Sequence, residues 1–322
     1  MNSQIKPSID SANANELEYI NCYFCDSNSF TPFLTAQEDL TGKPGYFQFV
    51  QCDHCGLHYQ NPRLSLKQIQ YYYDDEYIAH RKKTNWGILT NYYNYLMDGH
   101  DRRKCNLVKK YVKLNQSSNV LDVGCGAGTF LYKLKQQYRI NATGVDFKDL
   151  SSRSEFSDME FLHGVLTSHY IKRNSIDLIT MWHFLEHDYD PINTLRFSSE
   201  CLKEDGRLII EVPRLDSLSF KIYQERWPGL QAPQHTVLYT KKDLLHIVEC
   251  AGLDVVEYLP YGAFPPYFYL FAGAAFKILK GKGLNLSKAI YPYFAGQIIL
   301  SPIMLFQKHL NLAMQTIICR RK

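Results

Sequence analysis

Seven short apolar runs alternate with segments of helical spacing from residue 119 onward. Val120, Leu121 and Val123 form the first, a run rich in β-branched residues, which is the mark of a strand buried on both faces. Phe130, Leu131 and Leu134 then recur at helical spacing. Further strands are predicted at Ala142–Val145, Met159–His163, Ile176–Met181, Arg207–Val212, Leu253–Leu259 and Met314–Cys319. Pro191 opens a helix running to about Leu202, and Thr240 precedes another that Gly252 ends. Between Leu66 and Leu114 the pattern is mostly helical, with helices near 66–73, 88–98 and 101–114. Breaks fall at Asp74–Glu76 and at Trp86–Gly87. The alternation predicts an α/β fold with a mostly parallel sheet.

The first strand stops at Gly124, Gly126 and Gly128. Glycine lets the chain turn sharply and lets a ligand approach without meeting a Cβ. The second strand ends at Asp146, about 20 residues beyond the glycines, where a ribose-binding carboxylate belongs. The spacing is G-x-G-x-G with Thr129 next, not the G-x-G-x-x-G of a pyrophosphate cradle. With Asp122 just before it, the stretch NVLDVGCGAGTF resembles the first motif of class I S-adenosylmethionine-dependent methyltransferases. That resemblance implies a Rossmann-like sheet whose last strand is antiparallel. It also implies S-adenosylmethionine as cofactor, with Asp122, Gly124, Gly126 and Gly128 facing its methionine part and Asp146 its ribose. The exit of the third strand, Gly164-Val165-Leu166, lacks the acid that often holds the adenine in that family, leaving Val165 to contact it through the backbone. The fourth strand runs into Trp182 and HFLEHDYDP, which resembles the family's fourth motif, where cofactor and acceptor meet. Trp227, Pro233 and His235 resemble a segment that covers the acceptor in small-molecule members.

The methyl group of S-adenosylmethionine sits on a sulfonium and is already activated, so positioning supplies most of the catalysis. An oxygen or carbon acceptor must also lose a proton, which suits histidine at neutral pH. His187 is the first candidate base, then His235 and His183. Glu186 has three open roles: orienting a histidine, binding a metal, or lying solvated.

Cys22-x-x-Cys25 and Cys52-x-x-Cys55 supply two matched knuckles, and Gly56 follows the second. Four thiolates in that arrangement make a closed, structural Zn2+ site. Phe47, Phe49 and Val50 between them predict a small β-ribbon. His54 and His58 read as surface or packing residues. Nine cysteines without an apolar leader fit a reducing, cytoplasmic setting better than a disulfide framework. The net charge of +4 is spread along the chain, which argues against nucleic acid as partner. Many of the 24 tyrosines cluster between Tyr71 and Tyr111. Tyr71, Tyr72, Tyr73, Tyr77, Tyr92, Tyr93 and Tyr95 either line a cleft or pack between helices.

The expected organisation is a disordered lead-in at 1–18, a zinc ribbon at 19–63 and a helical cap at 64–117. The methyltransferase domain follows at 118–260, then a hydrophobic helical insertion at 261–310, and the final strand at 311–322. The insertion holds two apolar stretches, Ala263–Leu279 and Ala289–Phe306, joined by a lysine-bearing link. Both are short for a membrane span and contain prolines (Pro265, Pro266, Pro292 and Pro302). Two readings stand for it: a hairpin resting on the cytoplasmic membrane surface through Lys277, Lys280, Lys282 and Lys288, or a hairpin packed on the domain or in a homodimer. The expected activity is methyl transfer to an oxygen or carbon of a small or lipid-linked metabolite of sugar, polyketide or quinone-like type. Its rivals are an RNA or protein methyltransferase that binds through the ribbon, and a non-catalytic assembly protein.

Overall fold

The fold is that of a computed structural model, which describes residues 17–73, 89–284, 286–304 and 306–322. In chain order the N-terminal part carries strands β1 (Leu17–Glu18), β2 (Phe30–Gln37), β3 (Tyr46–Cys52), β4 (His58–Gln60) and β5 (Arg63–Leu64), then helices α1 (Leu66–Ile69) and α2 (Leu89–Tyr111). The next section alternates β6 (Asn119–Val123), α3 (Thr129–Tyr138), β7 (Asn141–Asp146), β8 (Glu160–His163), β9 (Ile176–Trp182), α4 (Pro191–Cys201) and β10 (Leu202–Pro213). The C-terminal part holds α5 (Leu218–Tyr223), β11 (Val237–Leu238), α6 (Lys241–Cys250), β12 (Leu253–Leu259), α7 (Tyr267–Leu279), α8 (Leu286–Met304) and β13 (Met314–Arg321).

The main sheet runs β12-β13-β10-β9-β6-β7-β8. Strands β6 to β10 pair in parallel, and β13 is antiparallel to both β10 and β12. This is the expected Rossmann-like sheet with its last strand reversed. The continuous apolar runs follow from burial on both faces. Leu121, Ile179, Leu208 and Ile210 face α4 and α6, while Val120, Leu178 and Ile209 face α2 and α3. Each fully buried aliphatic side chain contributes about 1.5–3 kcal/mol.

Element boundaries depart from the sequence pattern: the helix expected at 66–73 is α-helical only over Leu66–Ile69 and continues as a 3-10 turn over Gln70–Tyr72. The helices expected at 88–98 and 101–114 form one helix, α2, which continues through Gly99. A mid-helix glycine costs only about 1 kcal/mol, and burial of Cys105 and Val108 against the sheet offsets it. The fifth strand begins at Leu202, straight from α4, with a register shift before Arg207. Helix α6 is capped as expected: Thr240 accepts from the backbone of Asp243, whose side chain accepts in return from Thr240.

The ribbon shares its surface with the larger sheet. Its four strands run β11-β4-β3-β2, and β11 comes from the segment after His235. Cys22, Val50, Cys52, Leu57 and Tyr59 join the apolar cluster on the α4/α6 face. Of the expected lead-in, residues 1–16 lie outside the described residues, and Leu17 and Glu18 pair with Leu64 and Arg63. Tyr77 and the side chains of Tyr92, Tyr93 and Tyr95 also lie outside them.

The insertion forms the helix pair α7 and α8. Tyr267, Tyr269, Ala272, Gly273 and Phe276 turn the buried face of α7 inward, and Gly273 lies so close to the Tyr223 ring that a Cβ would fall 2.4 Å from it. The turn after α7 meets the ribbon where Leu284 N–H donates to Leu40 O at 2.9 Å. Ile278, Ile298, Ile299 and Phe306 are exposed. No helix among the described residues is long and apolar enough to cross a membrane.

Candidate functional site

The carboxyl ends of β6, β7 and β9 meet at the glycine loop, the crevice where ligands bind in an open parallel sheet. Gly124, Gly126 and Gly128 all have positive φ, at 70°, 51° and 73°. A Cβ at Gly124 would lie 2.5 Å from the Phe184 ring, and one at Gly128 2.5 Å from Phe156. The glycines therefore admit close packing of the chain's own phenyl rings as well as a sharp turn.

Asp122 is buried at the end of β6 and accepts from Thr180 Oγ1 at 2.6 Å. Burial pushes its pKa up to about 7, against the opposing pull of Thr180 and Lys104. Asp146 accepts from the backbone N–H groups of Gly126 and Lys148, at 2.9 and 3.0 Å. Val165 and Phe147 are exposed beside Asp146, where Gly164 N–H donates to Asp146 O. Tyr73 meets the Phe147 ring edge-on at 4.8 Å. Trp182 is buried against Phe130, its Nε1 without a hydrogen-bond partner. The residues present fit an adenosyl ligand with a cationic end: buried acids at the ends of β6 and β7 beside the glycine loop, with the exposed apolar surface of Phe147 and Val165 beyond them.

The second half of the site lies at the ends of β9 and β10. His183 leaves β9 with φ of 55°. Its Nδ1 is 3.6 Å from Glu186 Oε1 and its Nε2 is 3.3 Å from Glu211 Oε1. Burial works against its charged form, but the flanking carboxylates of Glu186 and Glu211 outweigh this and lift its pKa to about 9. Glu211 also accepts from the backbone N–H groups of Ala263 and Phe264, at 2.6 and 3.0 Å, tying the start of the insertion to the cluster.

His187 and His235 come from different segments. Thr236 N–H donates to Glu186 O at 2.8 Å and docks the 229–236 segment onto the turn at 185–187. The two imidazoles then cross at 82° with centroids 4.4 Å apart. His187 Nδ1 lies 3.0 Å from Gln234 O and 2.8 Å from the Tyr73 hydroxyl. His235 Nδ1 lies 2.8 Å from Gly229 O. Burial pushes the pKa of His187 down and that of His235 well down. All three expected histidines thus gather with Glu186. Glu211 and the role of Tyr73 escaped the sequence reading. A lone acid inside the apolar strand LIIEVP was the available signal for Glu211.

At the ribbon, Cys22 Sγ is 3.4 Å from Cys55 Sγ and Cys25 Sγ is 3.5 Å from Cys52 Sγ. The four sulfurs lie within 4.8 Å of one another. Thiolates about 2.3 Å from a tetrahedral ion lie about 3.8 Å apart, so the set fits a single zinc-sized cation. Each knuckle closes on a left-handed residue, Asp26 at φ 56° and Gly56 at φ 83°. Their N–H groups donate to Cys22 O and Cys52 O, at 3.0 Å each.

No curated protein sequence matches the chain. Among solved structures it is similar to the cyclase SpnF, at 18% identity and a TM-score of 0.46 over 69% of this chain and 80% of that one. It is also similar to coclaurine N-methyltransferase bound to N-methylheliamine and SAH, at 17% identity and 0.43 over 69% and 70%. Phosphoethanolamine N-methyltransferase 2 of Haemonchus contortus gives 15% identity and 0.46 over 68% and 52%. A methyltransferase-domain family model matches residues 96–258, just over half of the sequence. The chain belongs to that family and is a class I S-adenosylmethionine-dependent methyltransferase.

Proposed function

We propose that the enzyme methylates an oxygen or carbon of a small or lipid-linked biosynthetic metabolite, with its acceptor held against His183, Glu186, His187 and His235. The observation that carries this reading is the convergence of those four side chains beside the glycine loop, linked to it by Phe184. A buried cluster of this kind suits a small acceptor group better than a macromolecular surface.

Bound S-adenosylmethionine supplies an activated methyl group on sulfur. Asp122 offers its cationic end a buried carboxylate, Asp146 takes the ribose hydroxyls, and Val165 and Trp182 border the adenosyl part. The Gln234 carbonyl oxygen can only accept at His187 Nδ1, which fixes the proton there and leaves Nε2 to receive the acceptor's proton. His235 stands next in line. His183, charged between two carboxylates, serves as a fixed cation and donor. Phe147 and Tyr73 exclude water from the side facing the ribose.

Cys22, Cys25, Cys52 and Cys55 hold a structural zinc ion in this reading, their four sulfurs closing the coordination shell. The exposed Ile278, Ile298 and Ile299 of the helix pair, with Lys277, Lys280 and Lys282 around Ile278 in sequence, support peripheral contact with an anionic membrane surface.

Calorimetric titration of S-adenosylmethionine into the zinc-loaded protein tests the cofactor half. Micromolar binding that Asp146→Ala abolishes is expected. Acceptors are then screened with and without lipid vesicles. Failure of the folded protein to bind S-adenosylmethionine in the presence of every acceptor class would overturn the site assignment.

A further inference from the structure

Three groups of the acceptor-side cluster converge beyond what proton removal requires. Glu186 is 1% exposed, and neither of its carboxylate oxygens has a hydrogen-bond partner. His235 is 3% exposed. Its Nδ1–H donates to Gly229 O, so its Nε2 carries a lone pair, 3.9 Å from Glu186 Oε1. His187 directs Nδ1–H to Gln234 O in the same way, which again leaves a lone pair on Nε2. One donor atom from each of Glu186, His187 and His235 lies within 4.8 Å of the others. Burying a carboxylate without a hydrogen bond is costly; His183 lies at ion-pair distance from Glu186 but is shared with a second buried acid, Glu211, so the cluster holds two buried acids against one flanking imidazole.

We propose that Glu186, His187 and His235 bind one divalent transition-metal ion. Two imidazoles and one carboxylate suit zinc, iron, cobalt or manganese better than magnesium or calcium. Three protein ligands leave coordination positions open, unlike the closed four-sulfur set of the ribbon. The backbone carbonyls at both Nδ1 atoms are the outer contacts that orient metal-binding imidazoles. The inference rests on reading this cluster as the acceptor side. In the loaded protein an acceptor hydroxyl takes an open position, and its proton leaves to water because the ion lowers its pKa. The oxygen–carbon bond then forms as the sulfur–carbon bond breaks, and S-adenosylhomocysteine leaves as a neutral sulfide. His187 takes the proton only when the ion is absent.

The test is a Co2+ titration of protein whose four-cysteine site is already filled with zinc, followed by visible absorption. One equivalent should bind and give d–d bands without thiolate charge transfer. The dissociation constant should rise about 10–100-fold or more in Glu186→Gln, since even outer contacts carry effects of that size. His187→Asn, at a less buried position, gives the same comparison if Glu186→Gln does not fold. S-Adenosylmethionine binding is measured on the same samples. Absence of saturable Co2+ binding by wild-type protein that binds S-adenosylmethionine would overturn the metal site alone, as would thiolate bands or unchanged affinity in a folded variant. Loss of S-adenosylmethionine binding in the wild type would instead count against the cofactor assignment.

Discussion

Asp122 offers a sharp test of the cofactor site, because its charge must change when a cation arrives. In the free protein burial lifts its pKa from 3.8 to about 7. The unfolded chain releases this proton near 3.8. Stability from the group is therefore full below that value and is lost as the pH rises through about 7. A sulfonium or ammonium placed beside the carboxyl favours its ionised form, so binding S-adenosylmethionine at acid pH expels the proton. Between pH 6 and 7 the ionised fraction rises from about a tenth to about a half, which strengthens binding roughly fivefold, or ~1 kcal/mol. Calorimetry in two buffers of different ionisation enthalpy should find nearly one proton released per cofactor at pH 6 and about half a proton at pH 7. Asp122→Asn should flatten the profile. So should 5′-deoxy-5′-methylthioadenosine, which has neither cation. A flat profile for S-adenosylmethionine with the wild-type protein, or an unchanged slope in Asp122→Asn, would refute the placement of the cationic end at Asp122.

Other outcomes follow from the packing. Gly124→Ala places a Cβ 2.5 Å from the Phe184 ring at φ 70°; the left-handed backbone costs about 1–2 kcal/mol and overpacking about 1–3, so calorimetric melting should show a loss of ~2–5 kcal/mol. Purified protein should contain at least one zinc per chain by elemental analysis, and a strong chelator should remove it with loss of hydrogen-exchange protection across β2 to β4, since thiolate zinc sites contribute about 10–16 kcal/mol to folding. The double variant Ile298→Lys with Ile299→Lys should release the protein from anionic phospholipid vesicles in a flotation assay while leaving its melting temperature unchanged, because both side chains are exposed.

The glycine loop was legible because its demand is local. Three positive-φ positions within five residues, between an apolar strand and a helix, can hardly be met without glycine. The matching left-handed turn at Asp26 was not legible, since an aspartate after a cysteine pair carries no comparable mark. The same contrast divides the acceptor side. His183, Glu186 and His187 lie along one turn at the end of β9, where sheet topology alone places them near a ligand. Their meeting with His235 depends on a backbone bond from Thr236 to Glu186 O, and on β11 adding two residues to the ribbon's sheet. Neither leaves a periodic signal. Glu211 joins this cluster to the insertion by holding His183 on one side and the amides of Ala263 and Phe264 on the other. Phe264 also packs its ring on His183, so a shift of the helix pair would reach the histidine cluster through Glu211 and Phe264 together. Glu211→Gln should therefore raise the acceptor KM more than the affinity for S-adenosylmethionine changes. Equal losses in both would mean that Glu211 acts on the sheet as a whole and not on the acceptor.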